Sequence, residues 1–190
     1  MTTSTPSTPG TELHTRWRGL AAPFTAEVEA VTAWDASSPC KGWSARDVLA
    51  HVIGTEREFL AKAGLLPGGG AEAEAEDPAA RWAAHLAEVD ALLADPETAA
   101  RPHDGAFGPT TVGAVLIEFY GFDLVVHRWD LARSQGRDAR LAAEEIAMID
   151  ANVDGWGEHA YAPGVFSRPL TVPDGADEQT RVLARTGRRG

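Results

Sequence analysis

Apolar residues recur along this chain at spacings of three and four, the period of an α-helix that buries one face. Leu13, Trp17, Leu20, Phe24, Val28 and Val31 form such a stripe and predict a first helix over 11–33, kinked or divided at Pro23. Ser44 followed three residues later by Asp47 has the form of a capping box, with Asp in the Glu/Gln position. Val48, Leu49, Val52, Ile53, Phe59 and Leu60 continue it as the apolar face of a second helix over 44–63. Trp82, Leu86, Val89 and Leu93 predict a third over 78–94. A fourth, over 111–134, is the most apolar segment of the chain and stops before Gly136. Ile146, Ile149, Val153 and Trp156 predict a shorter fifth over 142–160. No period-two alternation is long enough to compete with these helices.

The remaining segments read as breaks. Residues 1–10 (MTTSTPSTPG) predict a disordered tail. Residues 64–80 predict a Gly- and Glu-rich loop, the most mobile internal segment, and 95–110 a second loop holding three prolines and two glycines. From Ala162 onward, Pro163, Pro169 and Pro173 predict an irregular tail laid over the helices. The expected fold is all-α: an up-and-down four-helix bundle with a short extra helix, forming a single domain over 11–190.

Composition narrows the partners. The chain has 190 residues with a net charge of −11 and no basic stripe, which argues against nucleic acid. One cysteine, Cys40, excludes an intramolecular disulfide framework and a Cys-rich zinc finger. No run approaches the ~18 apolar residues of a membrane span, and the N-terminus lacks a basic start with an apolar core, so no membrane partner and a cytoplasmic location are expected.

The chemistry concentrates on the fourth helix. At about 100° per residue, Tyr120, Asp123, His127, Asp130 and Ser134 fall within roughly 80° of one another. Such a stripe can be a plain solvated face carrying a weak ion pair. However, Glu118 and Arg128 offer a rival solvent face. If those two point outward, the Asp123–His127 stripe points inward, where a carboxylate is costly without a cation. Asp123 and His127 at i, i+4 can grip one metal ion, and His51, at the margin of the second helix's apolar face, is a candidate third ligand. Two imidazoles and one carboxylate leave coordination positions open, as in catalytic sites; zinc is the first choice, with iron and nickel as alternatives. Asp130, one turn beyond His127, is the candidate to orient a ligand or act as a base. Trp43 and Trp129 are candidate walls of this site, whereas His14, His85 and His103 read as surface and Cys40 as a packed or half-buried thiol. Gly68–Gly70 lacks the Lys-Ser/Thr of a phosphate cradle.

Two segments carry a family resemblance. Residues 39–54 (PCKGWSARDVLAHVIG) and 122–132 (FDLVVHRWDLA) resemble the second- and fourth-helix motifs of the DinB-like metal-binding superfamily. The closer likeness is to the actinobacterial group related to mycothiol-dependent maleylpyruvate isomerase, and 170–184 (LTVPDGADEQTRVLA) is similar to that group's ending. The resemblance implies a metal-binding four-helix bundle with ligands at His51, Asp123 and His127, and mycothiol as co-substrate. It also implies differences: the isomerase has Glu where this chain has Asp123, and a second C-terminal domain, so a substrate other than maleylpyruvate is expected. The expected function is a thiol-dependent S-transferase or isomerase acting on a small electrophile, in a chain compatible with a homodimer. The alternatives are a non-catalytic metal or small-molecule binding protein and a metal-dependent hydrolase.

Overall fold

A computed structural model of the chain describes residues 9–66, 77–162 and 164–190. Helix α1 spans Pro9–Glu29, so the last two residues of the predicted tail are already helical; the rest of that tail lies outside the described residues. Proline is well suited to a helix start, where its missing N–H has no partner to lose. Pro23 does not divide the helix. Its ring deprives the Gly19 carbonyl of a donor, but Gly19 is exposed and water can serve that carbonyl. The helix ends earlier than predicted because the Gln135 side chain takes over the next backbone groups. Its Oε1 accepts from the N–H of Thr32 and of Ala33, and its Nε2 donates to the Ala33 carbonyl.

Helix α2 spans Ala45–Lys62 and starts with the predicted capping box: Ser44 Oγ accepts from the Asp47 N–H, and Asp47 Oδ2 accepts from the Ser44 N–H. A tight loop precedes it, closed by the Ser38 N–H donating to the Trp43 carbonyl and turned at Gly42, with φ +82°. This loop delivers Cys40 and Trp43 to the end of the helix. Helix α3 spans Pro78–Ala94, capped by Asp77. Of the predicted 64–80 loop, residues 67–76 lie outside the described residues.

The second predicted loop is structured. Asp95 caps a short helix α4, Pro96–Ala99, and strands β1 (Pro102–Gly105) and β2 (Gly108–Thr111) pair antiparallel around Ala106 and Phe107. Four-residue strands are too short to show an alternation, which is why the sequence concealed the hairpin.

The fourth predicted helix is continuous over 112–134 but not uniform. It comprises α5 (Val112–Val115), a π-turn (Leu116–Tyr120) and α6 (Gly121–Ser134). In the π-turn the Gly121 N–H donates to the Leu116 carbonyl, five residues back. Glycine lets α1 pass close at that junction, since a Cβ there would stand 2.5 Å from Leu20 Cδ1 and push that side chain aside. Helix α7 spans Ala143–Trp156 and runs into a 3-10 turn, Gly157–Tyr161. The tail predicted as irregular contains a helix, α8 (Glu178–Arg185). Its prolines all precede Asp177, which caps the helix through the Thr180 N–H, and Arg185 ties it to Asp150 and Asp154 of α7.

The fold is mostly helical with one small hairpin. Helix α1 packs on α3 and α6, and α2 packs on the same two. Leu124 and Leu131 of α6 join the core formed with α1, α2 and α3. Phe122, Val125, Val126 and Trp129 join a second core with Ile149 and Val153 of α7 and Val182 and Leu183 of α8. Lying between two cores, α6 is apolar on both flanks of the narrow stripe that carries Asp123, His127 and Asp130. Trp129 is in the second core and forms no wall of the site. No helix among the described residues is long and apolar enough to cross a membrane.

His85 corrects a further expectation: it is buried, with Nε2 2.7 Å from Glu56 Oε2, itself buried. Burial raises the Glu56 carboxyl above its ordinary range, and the bond to His85 offsets this only in part. A raised carboxyl pKa means that the folded state holds the proton more tightly than the unfolded chain. Its contribution is therefore present at low pH and lost as pH rises above the ordinary carboxylate range. Glu56 Oε1 has no hydrogen-bond partner among the described residues, so the ionised form is under-solvated. Glu56→Gln should flatten the fall in stability as pH rises above the ordinary carboxylate range, gaining roughly 1–3 kcal/mol on the parent at the high-pH end, as read by urea denaturation.

Candidate functional site

The polar stripe of α6 faces the protein interior, opposite the middle of α2. Asp123 Oδ2 lies 3.5 Å from His51 Nε2, and Asp123 Oδ1 lies 3.3 Å from His127 Nε2. One ligand-type atom from each residue lies within 4.8 Å of those of the other two. Trp43 holds both imidazoles in place, with ring centroids 4.9 Å from His51 and 6.2 Å from His127, the latter stacked.

The far side of His127 is tied down. Its Nδ1 lies 2.8 Å from Asp130 Oδ2, and Asp130 is fully buried. Arg188, from the segment just after α8, donates through Nε to both Asp130 oxygens at 2.8 and 3.0 Å and through Nη2 to Oδ2 at 2.6 Å. The Cys40 thiol donates to Asp130 Oδ2 at 3.2 Å and accepts from Arg188 Nη2 at 3.4 Å. Burial alone would raise the Asp130 carboxyl, but the Arg188 charge and the His127 bond outweigh it and hold it well below the usual range. An ionised Asp130 accepts from Nδ1–H, so Nε2 is the nitrogen presented to Asp123 and His51.

Asp123 follows the same logic. Burial pushes its carboxyl up, and the neighbouring His127 and His51 bring it far below the ordinary value. Burial pushes the His127 imidazole down, while Asp123 and Asp130 raise it well above its usual value. A positive charge is thus favoured between Asp123 and the imidazoles. Two imidazole nitrogens and a carboxylate, with one imidazole fixed by an outer carboxylate, are a donor set that fits a divalent ion. Cys40, His127 and Asp130 form a second convergent group, but there the Arg188 guanidinium already supplies the cation.

The triad borders a cavity of about 570 Å³. Phe119, Phe122, Trp156 and Phe166 line one part of it, and Trp43, Phe59 and Tyr120 another. Burial, together with the charges of Glu56 and Asp123, raises the Tyr120 hydroxyl, which therefore stays protonated.

The structure brings His51, Asp123 and His127 together and places Asp130 behind His127, outside the cavity lining. Ser134 turns away, donating to the Leu131 carbonyl. Sequence reasoning missed Arg188, the approach of Cys40 and the aromatic lining from Trp156 and Phe166. Arg188 carries no periodic signal, since it follows the last helix beside a second arginine, Arg189.

The sequence model of the mycothiol maleylpyruvate isomerase N-terminal domain family, a DinB-like family, matches residues 11–132, and the chain belongs to that family. No curated protein and no solved structure matches the chain. The matched segment contains His51, Asp123, His127 and Asp130; Arg188 lies beyond it.

Removing Arg188 would leave Asp130 buried without its cation. Arg188→Ala should therefore cost about 3–5 kcal/mol in urea denaturation, and Arg188→Lys less. The His127 Nδ1 proton resonance should also shift in Arg188→Ala, because the acceptor that fixes it has lost its anchor.

Proposed function

We propose that this protein is a divalent-metal-dependent enzyme that uses a low-molecular-weight thiol, mycothiol by family, to transfer or transiently add sulfur to a small electrophile. The observation that carries the reading is the convergence of His51, Asp123 and His127 at the border of a cavity roomy enough for two small reactants. His51 Nε2, His127 Nε2 and the Asp123 carboxylate would hold the ion, zinc being the first choice and iron and nickel suiting the same donors. When bound, such an ion supplies Lewis-acid stabilisation of a thiolate at neutral pH.

The chain's own groups do the rest. Asp123 contributes the negative charge that favours a cation at this spot. Asp130 keeps a proton of His127 on Nδ1, and Arg188 keeps Asp130 ionised and in place, so Nε2 is the nitrogen turned toward the ion, which would displace its proton. Asp130 acts through His127, which favours the orienting role over that of a base. Trp43 restricts rotation of both imidazoles, and the aromatic lining excludes water from the reacting region. The four long helices α1, α2, α3 and α6 are read as the up-and-down bundle of the DinB-like family. A cytoplasmic setting, where small thiols are kept reduced, suits this chemistry.

Metal analysis of the purified protein tests the reading first. The parent should carry a divalent ion that chelator removes, and His127→Ala should abolish binding while keeping the helical circular dichroism spectrum. Asp130→Asn should weaken metal affinity by about 10–100-fold, through the loss of His127 orientation. Calorimetric titration with the thiol should show binding that chelator eliminates. If His127→Ala retained metal as tightly as the parent, the site would lie elsewhere.

A further inference from the structure

The lining of the cavity differs in character from the metal-binding corner, and its chemistry points to the second reactant. Among the described residues three large apolar side chains are exposed, and two of them, Phe119 at 42% and Val165 at 41%, border this cavity. Phe119 comes from the π-turn and lines the cavity together with Asp123. Its ring lies 5.4 Å from that of Trp156 at the end of α7. Trp156 in turn meets Phe122 at 5.0 Å and stacks on Phe166 of the tail at 6.2 Å. Three separate stretches of chain thus build one continuous aromatic wall that is backed by the second core and opens on the cavity at Phe119.

The charges around the cavity are mostly spent on each other. Lys62 pairs with Glu58 at 2.6 Å, and Arg188 is held by Asp130. Lys41, exposed on the lining, makes no ion pair among the described residues. Outside the triad, and among the described residues, the cavity therefore offers one uncommitted cation beside a large apolar surface. Along the wall, away from the triad, a compact dianion would have to give up hydration against a single lysine, whereas a flat ring gains area and ring-to-ring contact.

We infer that the electrophilic substrate is aromatic and carries at most one negative charge. The inference rests on the proposed function for its catalytic meaning, but its binding prediction does not need the metal.

Calorimetry on chelator-stripped protein separates the two. The probes are 2-naphthalenemethanol (neutral aromatic), 2-naphthoate (singly charged aromatic) and maleate (dianion without a ring). Both naphthalene compounds should bind, and maleate at least about tenfold more weakly. Phe119→Ala and Trp156→Ala should each weaken 2-naphthalenemethanol by about tenfold. Phe119 is half exposed to begin with, so its truncation should leave the fold unchanged by circular dichroism, and Lys41→Ala should weaken 2-naphthoate alone. Failure of both naphthalene probes to bind, tighter binding of maleate, or unaltered affinity in Phe119→Ala would overturn the inference. A protein that binds the aromatic probes yet never takes up metal would uphold this wall and refute the metal-dependent reading.

Discussion

The buried carboxylate of Asp130 is the constraint on which the site depends. It has no access to water, so it must find its partners inside the protein, and it finds three: Arg188, His127 and Cys40. Each partner comes from a different part of the chain: the segment after the last helix, the same helix one turn earlier, and the loop before α2. A single charge that cannot be left unpaired therefore fastens the C-terminal segment to the central helix. The same contact decides which nitrogen of His127 faces the cavity, so what stabilises the fold also prepares the site.

The position of α6 explains why one helix carries both packing and chemistry. It is flanked by two apolar cores, one formed with α1, α2 and α3 and the other with α7 and α8. Asp123, His127 and Asp130 lie on the strip between them, where His51 of α2 reaches across to Asp123, while Arg128 and Arg133 lie outside it. The close passage of Gly121 against Leu20 lets α1 approach the helix at the π-turn, and Phe119 and Tyr120 of that turn line the cavity together with Asp123. A cavity with a polar corner and an aromatic wall follows from these two packing decisions.

Much of this was legible in the sequence, and for identifiable reasons. The helices α1, α2, α3, α6 and α7 announced themselves through apolar stripes, and α2 through its capping box, because periodicity and caps are local properties. His51, Asp123 and His127 could be singled out because i, i+4 spacing on one helix and the margin of another are also local. The exposed Glu118 and the half-buried, ion-paired Arg128 leave the Asp123 stripe facing inward; helical geometry posed that alternative, and the packing decided it. The hairpin and α8 escaped because four-residue strands and an eight-residue helix behind three prolines carry too little pattern.

What remained for the tertiary structure were the contacts between distant segments. Nothing near Arg188 in the chain marks it, because its significance lies wholly in meeting Asp130, 58 residues away. His85 looked like a surface histidine until Glu56 of another helix came within hydrogen-bonding distance. Phe119, Trp156 and Phe166 are ordinary aromatic residues until three segments bring their rings together. The sequence by itself thus determined most of the helices and singled out His51, Asp123 and His127, which the fold brings together, since a helix repeats its geometry along the chain. Only the packed structure decided which buried charges are paired and where an open aromatic surface lies, since those depend on distances between residues that the sequence keeps apart.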